Sequence, residues 1–384
     1  MIFKILIKFP VLFFSFFLVC VSEVCASDYI AQRSIVGMLS GKADPRFKRA
    51  TQPMDFQFPR DHAAHPDYKT EWWYYTGNLQ SSDGQSYGYQ LTFFRNSLAP
   101  NVSSRSSKFA SNQVYMAHFA VTDVSRKEYK SFERYSRGSI GLAGTKVEHS
   151  NYSVWLEDWS ATQKTDKTIR LFAVDDATNP IIAIDLILTQ TRKPVFHGNG
   201  GLSQKGPEVG NANHYYSLIG LESIGTIQIN KERINVAGTS WMDHEFGTSS
   251  LSKGIVGWDW FSIQLDNDVA LMLACLRFQD GTDWQSFQGS LIQPDQPTEK
   301  VSRSDFIVQQ TSRWKSPRSG NIYPSGWALK LDRLQMNIQV EPMIKDQEFG
   351  GSFKYWEGAV RVKGTFKGKL VEGAGYVELT GYKK

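Results

Sequence analysis

Asp243, His244 and Glu245 form an unbroken run of ionisable residues inside the segment from Gly238 to Gly247. If this segment is a β-strand without a bulge, Asp243 and Glu245 share one face and His244 lies on the other. Two carboxylates on one buried face raise the pKa of one of them, which is what a general acid requires. All three residues are therefore candidate catalytic residues.

Asp259 is a second candidate acid, because it stands between Trp258 and Trp260 in an apolar segment. Burying an ionised carboxylate there is unfavourable, so Asp259 must be paired, neutral or catalytic. Its alternation with the tryptophans also allows it to face the other side of the strand and pair with an arginine. The sequence thus predicts a proton donor at Asp259 or Asp243, with Glu245 and His244 holding or reloading it.

Four consecutive aromatic residues follow Glu71, and a strand would place two of them on each face. One pair can line a ligand pocket while the other packs against the opposite layer. Glu71 is predicted to be an acid or a hydrogen-bond anchor, or else the partner of a nearby arginine or lysine. The candidate ligand-binding residues share aromatic or hydrogen-bonding side chains and are Glu71, Trp72, Trp73, Tyr75, His118, His214, Tyr215, Tyr216, Trp241, Trp258 and Trp260.

Other chemistries find little support in the sequence. His62 and His65 lie in a proline-containing segment that matches no zinc-binding spacing, so no metal is predicted. The glycine-rich stretch at residues 197–206 is predicted to be a surface loop, because no Lys-Ser/Thr pair follows it in the register of a phosphate loop and no helix is expected after it. The chain has no Gly-x-Ser-x-Gly elbow, and Cys275 lies in an apolar run where an inert buried thiol is expected. No cofactor is predicted.

Composition favours an apolar ligand over a nucleic acid. The formal net charge is +5, and the basic residues are scattered instead of forming a stripe, which excludes an electrostatic nucleic-acid surface. Aromatic residues make up 13% of the chain, a content that suits strands and carbohydrate or lipid pockets.

The elements that position these residues are predicted to be strands almost throughout. Period-2 patterns recur between turn signals, and no long segment keeps a helical period. The clearest strands are residues 87–94, 114–122, 215–220, 225–229, 258–265, 269–278, 327–331, 336–340, 355–362 and 375–382. Many short strands predict an all-β chain of barrels or sandwiches. Its length predicts two domains, which we divide into residues 52–245 and 246–384.

The first 26 residues have the layout of a secretory signal peptide. Lys4 and Lys8 precede an apolar run from Phe9 to Val21, and small residues lead to a predicted cleavage after Ala26. An apolar run of about 13 residues is shorter than the roughly 20 that a spanning helix needs. The mature protein is therefore predicted to be periplasmic or secreted, with a lead-in segment at residues 27–51. Only Cys275 would remain, so no intramolecular disulfide is expected.

Several long strings of this sequence resemble AttH-type secreted proteins, often labelled predicted secreted hydrolases, which share a domain with carotenoid 1,2-hydratase (hydroxyneurosporene synthase). The resemblance covers nearly all of the predicted mature chain. Its carriers are residues 65–78, 116–120, 213–217, 241–247, 257–261, 355–358 and 375–381.

This resemblance implies two lipocalin-like (calycin-type) β-barrels in tandem, an export signal and an association with an ABC-type exporter permease. The hydratase branch adds water to an unactivated terminal C=C of an acyclic carotenoid, with an aspartate as the acid, for which Asp243 and Asp259 are the candidates here. We expect an exported protein that binds an apolar isoprenoid or acyl lipid in a β-barrel pocket. Hydratase-like hydro-lyase activity, passive lipid transport through the periplasm and hydrolysis remain open alternatives.

Overall fold

The computed structural model describes residues 44–100, 107, 109–149, 151–248, 251–280, 282 and 288–382. The predicted signal peptide, residues 1–26, and most of the predicted lead-in segment lie outside the described residues. Among the described residues, no helix has both the length and the apolar character needed to cross a membrane.

The first half of the chain forms one antiparallel sheet that closes into a nearly complete barrel. The strand order along its main path is β4-β3-β2-β1-β13-β12-β9-β8-β7-β6-β5, and β10 and β11 both pair with β12. Its strands are β1 (Thr70–Ser81), β2 (Ser86–Ser97), β3 (Gln113–Asp123), β4 (Glu128–Arg137), β5 (Ala143–Glu148), β6 (Asn151–Leu156), β7 (Trp159–Gln163), β8 (Thr168–Asp175), β9 (Ile182–Thr189), β10 (Val195–Phe196), β11 (Leu202–Gln204), β12 (Ala212–Ile229) and β13 (Glu232–Gly247).

The second half forms a nine-stranded sheet that curves into a half-barrel. Its order is β17-β16-β15-β14-β24-β23-β22-β21-β18, and β19 pairs with β20 in a separate ribbon. The strands are β14 (Ile255–Leu265), β15 (Ala270–Phe278), β16 (Gln288–Ile292), β17 (Glu299–Ser302), β18 (Ile307–Gln310), β19 (Arg313–Lys315), β20 (Ile322–Pro324), β21 (Trp327–Leu331), β22 (Met336–Pro342), β23 (Trp356–Phe366) and β24 (Lys369–Leu379). The described helices are short 3-10 turns at Arg60–His62, Arg303–Asp305 and Asp332–Leu334.

Side-chain alternation gives each sheet an apolar inner face. Trp73, Leu91 and Met242 belong to the core inside the first barrel, whereas Phe261 and Trp327 belong to the core of the half-barrel. Both cores form because alternate residues of each strand point inwards, as period-2 sequences predict. The prediction of an all-β fold with lipocalin-like barrels is thus confirmed, although the second barrel is only half closed.

The outer faces of the two sheets pack against each other in a third apolar cluster. Tyr74 and Tyr215 of the first sheet belong to this cluster together with Trp260 and Met272 of the second. The sheets approach closely at Gly88, where an added Cβ would lie 2.7 Å from the Ala359 Cβ. The first sheet ends at Gly247 and the second begins at Ile255, while the predicted domain division after residue 245 stays a prediction.

Candidate active site

A cleft lies between the outer faces of the two sheets. The interior of the first barrel is filled by its own side chains, among them Trp73 and Tyr75. This cleft lies between the sheets, where side chains facing outwards from both sheets leave space. The residues lining the cleft are Thr70, Glu71, Trp72, Tyr74, Gln90, Phe94, Arg95, Met116, Lys205, Asn213, Tyr215, Asp243, Glu245, Leu251, Trp258, Trp260, Ala274, Leu276, Tyr355 and Glu378.

Asp243 is a buried carboxyl in the wall of this cleft. Its Oδ1 accepts hydrogen bonds from the Trp241 Nε1 at 2.7 Å and from the Ser217 hydroxyl, and its Oδ2 accepts one from the Tyr215 hydroxyl at 3.0 Å. Burial outweighs these donors and raises the pKa of Asp243 from 3.8 to about 7, with a smaller contribution from Glu245. These neighbours are neutral donors, so the carboxyl carries a proton in a large share of molecules near neutral pH.

Glu245 shares the face of Asp243, as strand alternation predicts, and also lines the cleft. The Lys205 ammonium lies 2.9 Å from the Glu245 Oε1, and the Asn213 amide donates to the same oxygen at 2.8 Å. Glu245 therefore has a cationic partner that the contacts of Asp243 lack.

The second sheet adds Glu378, for which no chemical role was predicted from the sequence. It lines the cleft and accepts a hydrogen bond from the Trp258 Nε1 at 3.2 Å. Burial raises the pKa of Glu378 to about 7, and repulsion from Asp243 and Glu245 adds to that shift. The cleft thus holds two carboxyls of raised pKa, the buried Asp243 from the first sheet and the half-buried Glu378 from the second.

A further buried carboxyl, Glu357, lies next to the cleft. The Tyr74 hydroxyl donates to the Glu357 Oε1 at 2.5 Å, and Tyr74 itself lines the cleft. Burial, together with repulsion from Glu378, raises the pKa of Glu357 well above its ordinary value. Glu357 and Glu378 both lie in the C-terminal strings that carried the family resemblance, which was the available signal for them.

Aromatic rings form much of the cleft wall. Trp72, Tyr74, Tyr215, Trp258 and Trp260 line it, as the sequence analysis expected for all but Tyr74. The Tyr74 and Trp260 rings meet edge to face, with centroids 5.2 Å apart. These rings offer π faces on which a cationic ligand carbon can be stabilised.

Other predicted ligand-binding residues lie elsewhere. Trp73, Tyr75 and Tyr216 point into the core of the first barrel, because they alternate with cleft-facing neighbours. Trp241 lies behind the cleft wall, where its indole donates to Asp243.

His118 and His214, also predicted to bind the ligand, are not among the residues that line the cleft. The His118 Nδ1 lies 2.7 Å from the hydroxyl of Tyr355, which does line the cleft, and its Nε2 lies 3.1 Å from a carboxylate oxygen of Glu133. The His214 Nε2 lies 3.0 Å from the Tyr68 hydroxyl. Both are hydrogen-bonded histidines away from the cleft surface.

Asp259, the other candidate proton donor, is separated from Asp243 and is not among the residues that line the cleft. It lies on the inner side of β14, where the Arg277 Nε donates to it at 3.0 Å and the Tyr382 hydroxyl donates at 3.0 Å. Alternation with Trp258 and Trp260, which face the cleft, sends Asp259 to the opposite face. The arginine-paired alternative for Asp259 is the arrangement in the structure.

His244 is likewise apart from Asp243 and belongs to a cluster around Glu71. The buried Glu71 carboxylate lies 2.8 Å from the Arg95 Nε, 2.7 Å from the His65 Nδ1 and 2.9 Å from the His244 Nε2. Burial alone would raise the pKa of Glu71, but Arg95 and His65 outweigh it and hold the pKa well below its usual range. Glu71 is therefore an ionised anchor, and His244 bonds onwards to the Tyr216 hydroxyl.

The same cluster brings three potential metal-ligand atoms, from His65, Glu71 and His244, within 4.8 Å of one another. The Arg95 guanidinium already compensates the Glu71 carboxylate. A divalent cation there would face this fixed positive charge, so the arrangement favours an ion-pair network.

Two lipocalin-like sheets thus enclose a cleft that is lined by aromatic rings and contains the buried carboxyls of Asp243 and Glu245. The chain belongs to the AttH-like family, whose family model matches residues 49–382. It is similar to the crystal structure of a putative AttH from Nitrosomonas europaea, with 31% identity and a TM-score of 0.76 over 88% of this chain and 100% of that one.

Its relatives include two named for adding or removing water. Dehydratase asqC from Emericella nidulans is 21% identical over 68% of this chain and 75% of its own length. Kievitone hydratase from Fusarium solani subsp. phaseoli is 22% identical over 53% of this chain and 58% of its own length. The crystal structure of kievitone hydratase from Nectria haematococca shares the fold, with a TM-score of 0.65 and 14% identity over 87% of this chain and 98% of that one.

Proposed function

We propose that the cleft catalyses addition of water to an isolated C=C bond of an apolar small molecule, or the reverse elimination, with Asp243 as the proton donor. The observation that carries this proposal is a buried carboxyl of raised pKa, held by neutral donors, in an aromatic cleft wall. Hydratase and dehydratase relatives support the reaction class.

The chemistry requires an acid that is neutral when the ligand binds. Protonating an isolated alkene forms a carbocation, so the site must supply a proton at neutral pH and stabilise positive charge next to it. Asp243 meets the first requirement through its raised pKa, and the rings of Trp258, Trp260 and Tyr215 meet the second. By microscopic reversibility the same groups serve dehydration of a tertiary alcohol.

Glu378 is the proposed partner on the opposite wall. In its ionised form it accepts a proton from the attacking water, while Asp243 supplies the proton that the alkene takes up. A raised pKa suits a base that must work near neutral pH, and both carboxyls can regain their starting states by exchange with water between turnovers.

The ligand class follows from the cation that forms. An isoprenoid end gives a tertiary cation, and aliphatic residues such as Leu251 and Leu276 complete an apolar lining for its chain. The signal-like first 26 residues support action outside the cytoplasm. The family resemblance adds an ABC-type exporter permease as the proposed partner. Cell fractionation checks the location: protein that stays in the cytoplasm with its first 26 residues intact contradicts it.

The test uses purified protein and, as probes, an acyclic isoprenoid alkene and a prenylated phenol in ¹⁸O-labelled water. We expect ¹⁸O in a tertiary alcohol product, and a turnover about 10² to 10⁴ times lower in Asp243→Asn. Asp259→Asn is the matched control, because Asp259 is a buried aspartate on the face of β14 away from the cleft. If Asp243→Asn keeps full turnover, Asp243 is not the acid. If wild-type protein binds these probes without label uptake, the chain is a carrier.

A further inference from the structure

We propose that Tyr215 is a second catalytic residue, whose hydroxyl passes the proton of Asp243 to the ligand. This inference rests on the function proposed for the cleft. Tyr215 lines the cleft, and its hydroxyl oxygen lies 3.0 Å from the Asp243 Oδ2.

The contacts of Asp243 determine which oxygen carries its proton. Its Oδ1 accepts from the Trp241 Nε1 at 2.7 Å, and an indole N–H can only donate. The Ser217 hydroxyl also lies against Oδ1. With two donors, Oδ1 serves as the carbonyl oxygen, so the proton of the neutral acid is on Oδ2, facing Tyr215.

A buried histidine supports this assignment for Ser217. The His197 Nε2 lies 2.6 Å from the Ser217 hydroxyl, and its Nδ1 lies 2.8 Å from the Ser290 hydroxyl. Assigned from this network, Ser290 donates to Nδ1, Nε2–H donates to Ser217, and Ser217 donates to Oδ1 of Asp243. Each hydrogen in this series of hydrogen bonds then has one acceptor, and every bond is donated in the direction of the Asp243 carboxyl.

Tyr215 is placed to change its role with the charge of Asp243. The Trp260 Nε1 donates to the Tyr215 hydroxyl oxygen at 3.3 Å. When Asp243 is neutral, its Oδ2–H donates to the same oxygen, both acceptor positions are used, and the phenol hydrogen is free to point into the cleft. When Asp243 is ionised, the phenol hydrogen turns back to Oδ2.

The transfer step balances without a co-reactant. The alkene π electrons take the phenol hydrogen, and the electrons of that O–H bond stay on the Tyr215 oxygen. This oxygen takes the Oδ2 proton, and the electrons of that bond stay on the Asp243 carboxylate, which then accepts from Trp241, Ser217 and Tyr215. Burial raises the pKa of Tyr215 well above its ordinary value, and the nearby Asp243 and Glu245 raise it further. Because a phenolate is therefore unfavourable here, the Tyr215 oxygen gives up its own proton and takes the Asp243 proton in one step.

Replacement of the hydroxyl alone tests the relay. Tyr215→Phe keeps the ring, and we expect turnover of the isoprenoid alkene to fall about 10²-fold or more, with unchanged probe affinity measured by tryptophan fluorescence. Tyr89→Phe is the matched control, because it also removes a buried hydroxyl that bonds to a residue of β13, in this case Ser240. The Tyr89 side chain lies in the barrel core and not in the cleft, so this variant should keep full turnover.

The outcomes separate the relay from the proposed function. Full turnover in Tyr215→Phe with none in Asp243→Asn overturns the relay, since Asp243 then protonates the ligand directly. Full turnover in both variants overturns the proposed function as well. If Tyr215→Phe does not fold, a fluorinated tyrosine at position 215 decides, because it keeps the hydroxyl but makes it more acidic: faster turnover supports the relay and unchanged turnover overturns it.

Discussion

Glu71 and Asp243 are buried carboxyls on the adjacent strands β1 and β13, yet their pKa values shift in opposite directions. Burial raises both. Around Glu71, Arg95 and two histidines reverse that effect, whereas the direct partners of Asp243 are a serine, a tyrosine and a tryptophan.

The difference teaches that burial alone does not make a catalytic acid. A buried carboxyl with cationic partners is an ionised anchor that stabilises the fold, while one with only neutral donors keeps a transferable proton and destabilises the fold once it ionises. We expect Glu71 and Asp243 to divide between these two roles.

Breaking the anchor should give the largest loss of stability. Glu71→Gln leaves the buried Arg95 guanidinium without its anion, and we expect the free energy of unfolding to fall by about 3–5 kcal/mol in urea denaturation. The double variant Glu71→Gln with Arg95→Met should recover part of this loss, because no charge is left unpaired. A loss below about 1 kcal/mol in Glu71→Gln would show that this carboxylate is not an anchor.

Ionised Asp243 should destabilise the fold, in contrast to ionised Glu71, which stabilises it. The folded pKa of Asp243, about 7, exceeds the ordinary 3.8, so the folded state binds more protons and loses stability as pH rises from 3.8 through 7. Such a shift corresponds to about 4 kcal/mol. The free energy of unfolding of Asp243→Asn, relative to that of the wild type, should therefore rise by about that amount between pH about 4 and about 8. Urea denaturation at each pH measures this difference. A constant difference across this range would mean that Asp243 has an ordinary pKa.

Asp259 should behave as a smaller structural pair. Asp259→Asn weakens its bonds with Arg277 and Tyr382, and we expect a stability loss of about 1–3 kcal/mol with turnover unchanged. A variant of wild-type stability that has lost turnover would return Asp259 to the candidate acids.

Much of this arrangement was predictable from local pattern. Alternation along one strand placed Asp243 and Glu245 on one face, and the same rule put Trp72 and Trp73 on opposite sides of the first sheet. These predictions needed only the period of a strand, which the sequence shows directly.

The positions of Asp259 and Glu378 relative to the cleft depend on contacts between different strands. The sequence leaves open whether Asp259 faces the cleft, because its partner Arg277 lies on the neighbouring strand β15. Glu378 joins Asp243 only because β24 pairs with β14 and both sheets press their outer faces together. A period within one strand carries no information on which distant strand packs against it.

The central claim is that Asp243 carries a proton near neutral pH, and infrared spectroscopy tests it most directly. A difference spectrum between wild type and Asp243→Asn isolates the carbonyl band of the neutral carboxyl. We predict that this band is present at acidic pH and disappears with a midpoint of about 7. If the band is absent at neutral pH and its midpoint lies near the ordinary 3.8, Asp243 is ionised when the ligand binds and is not the proton donor.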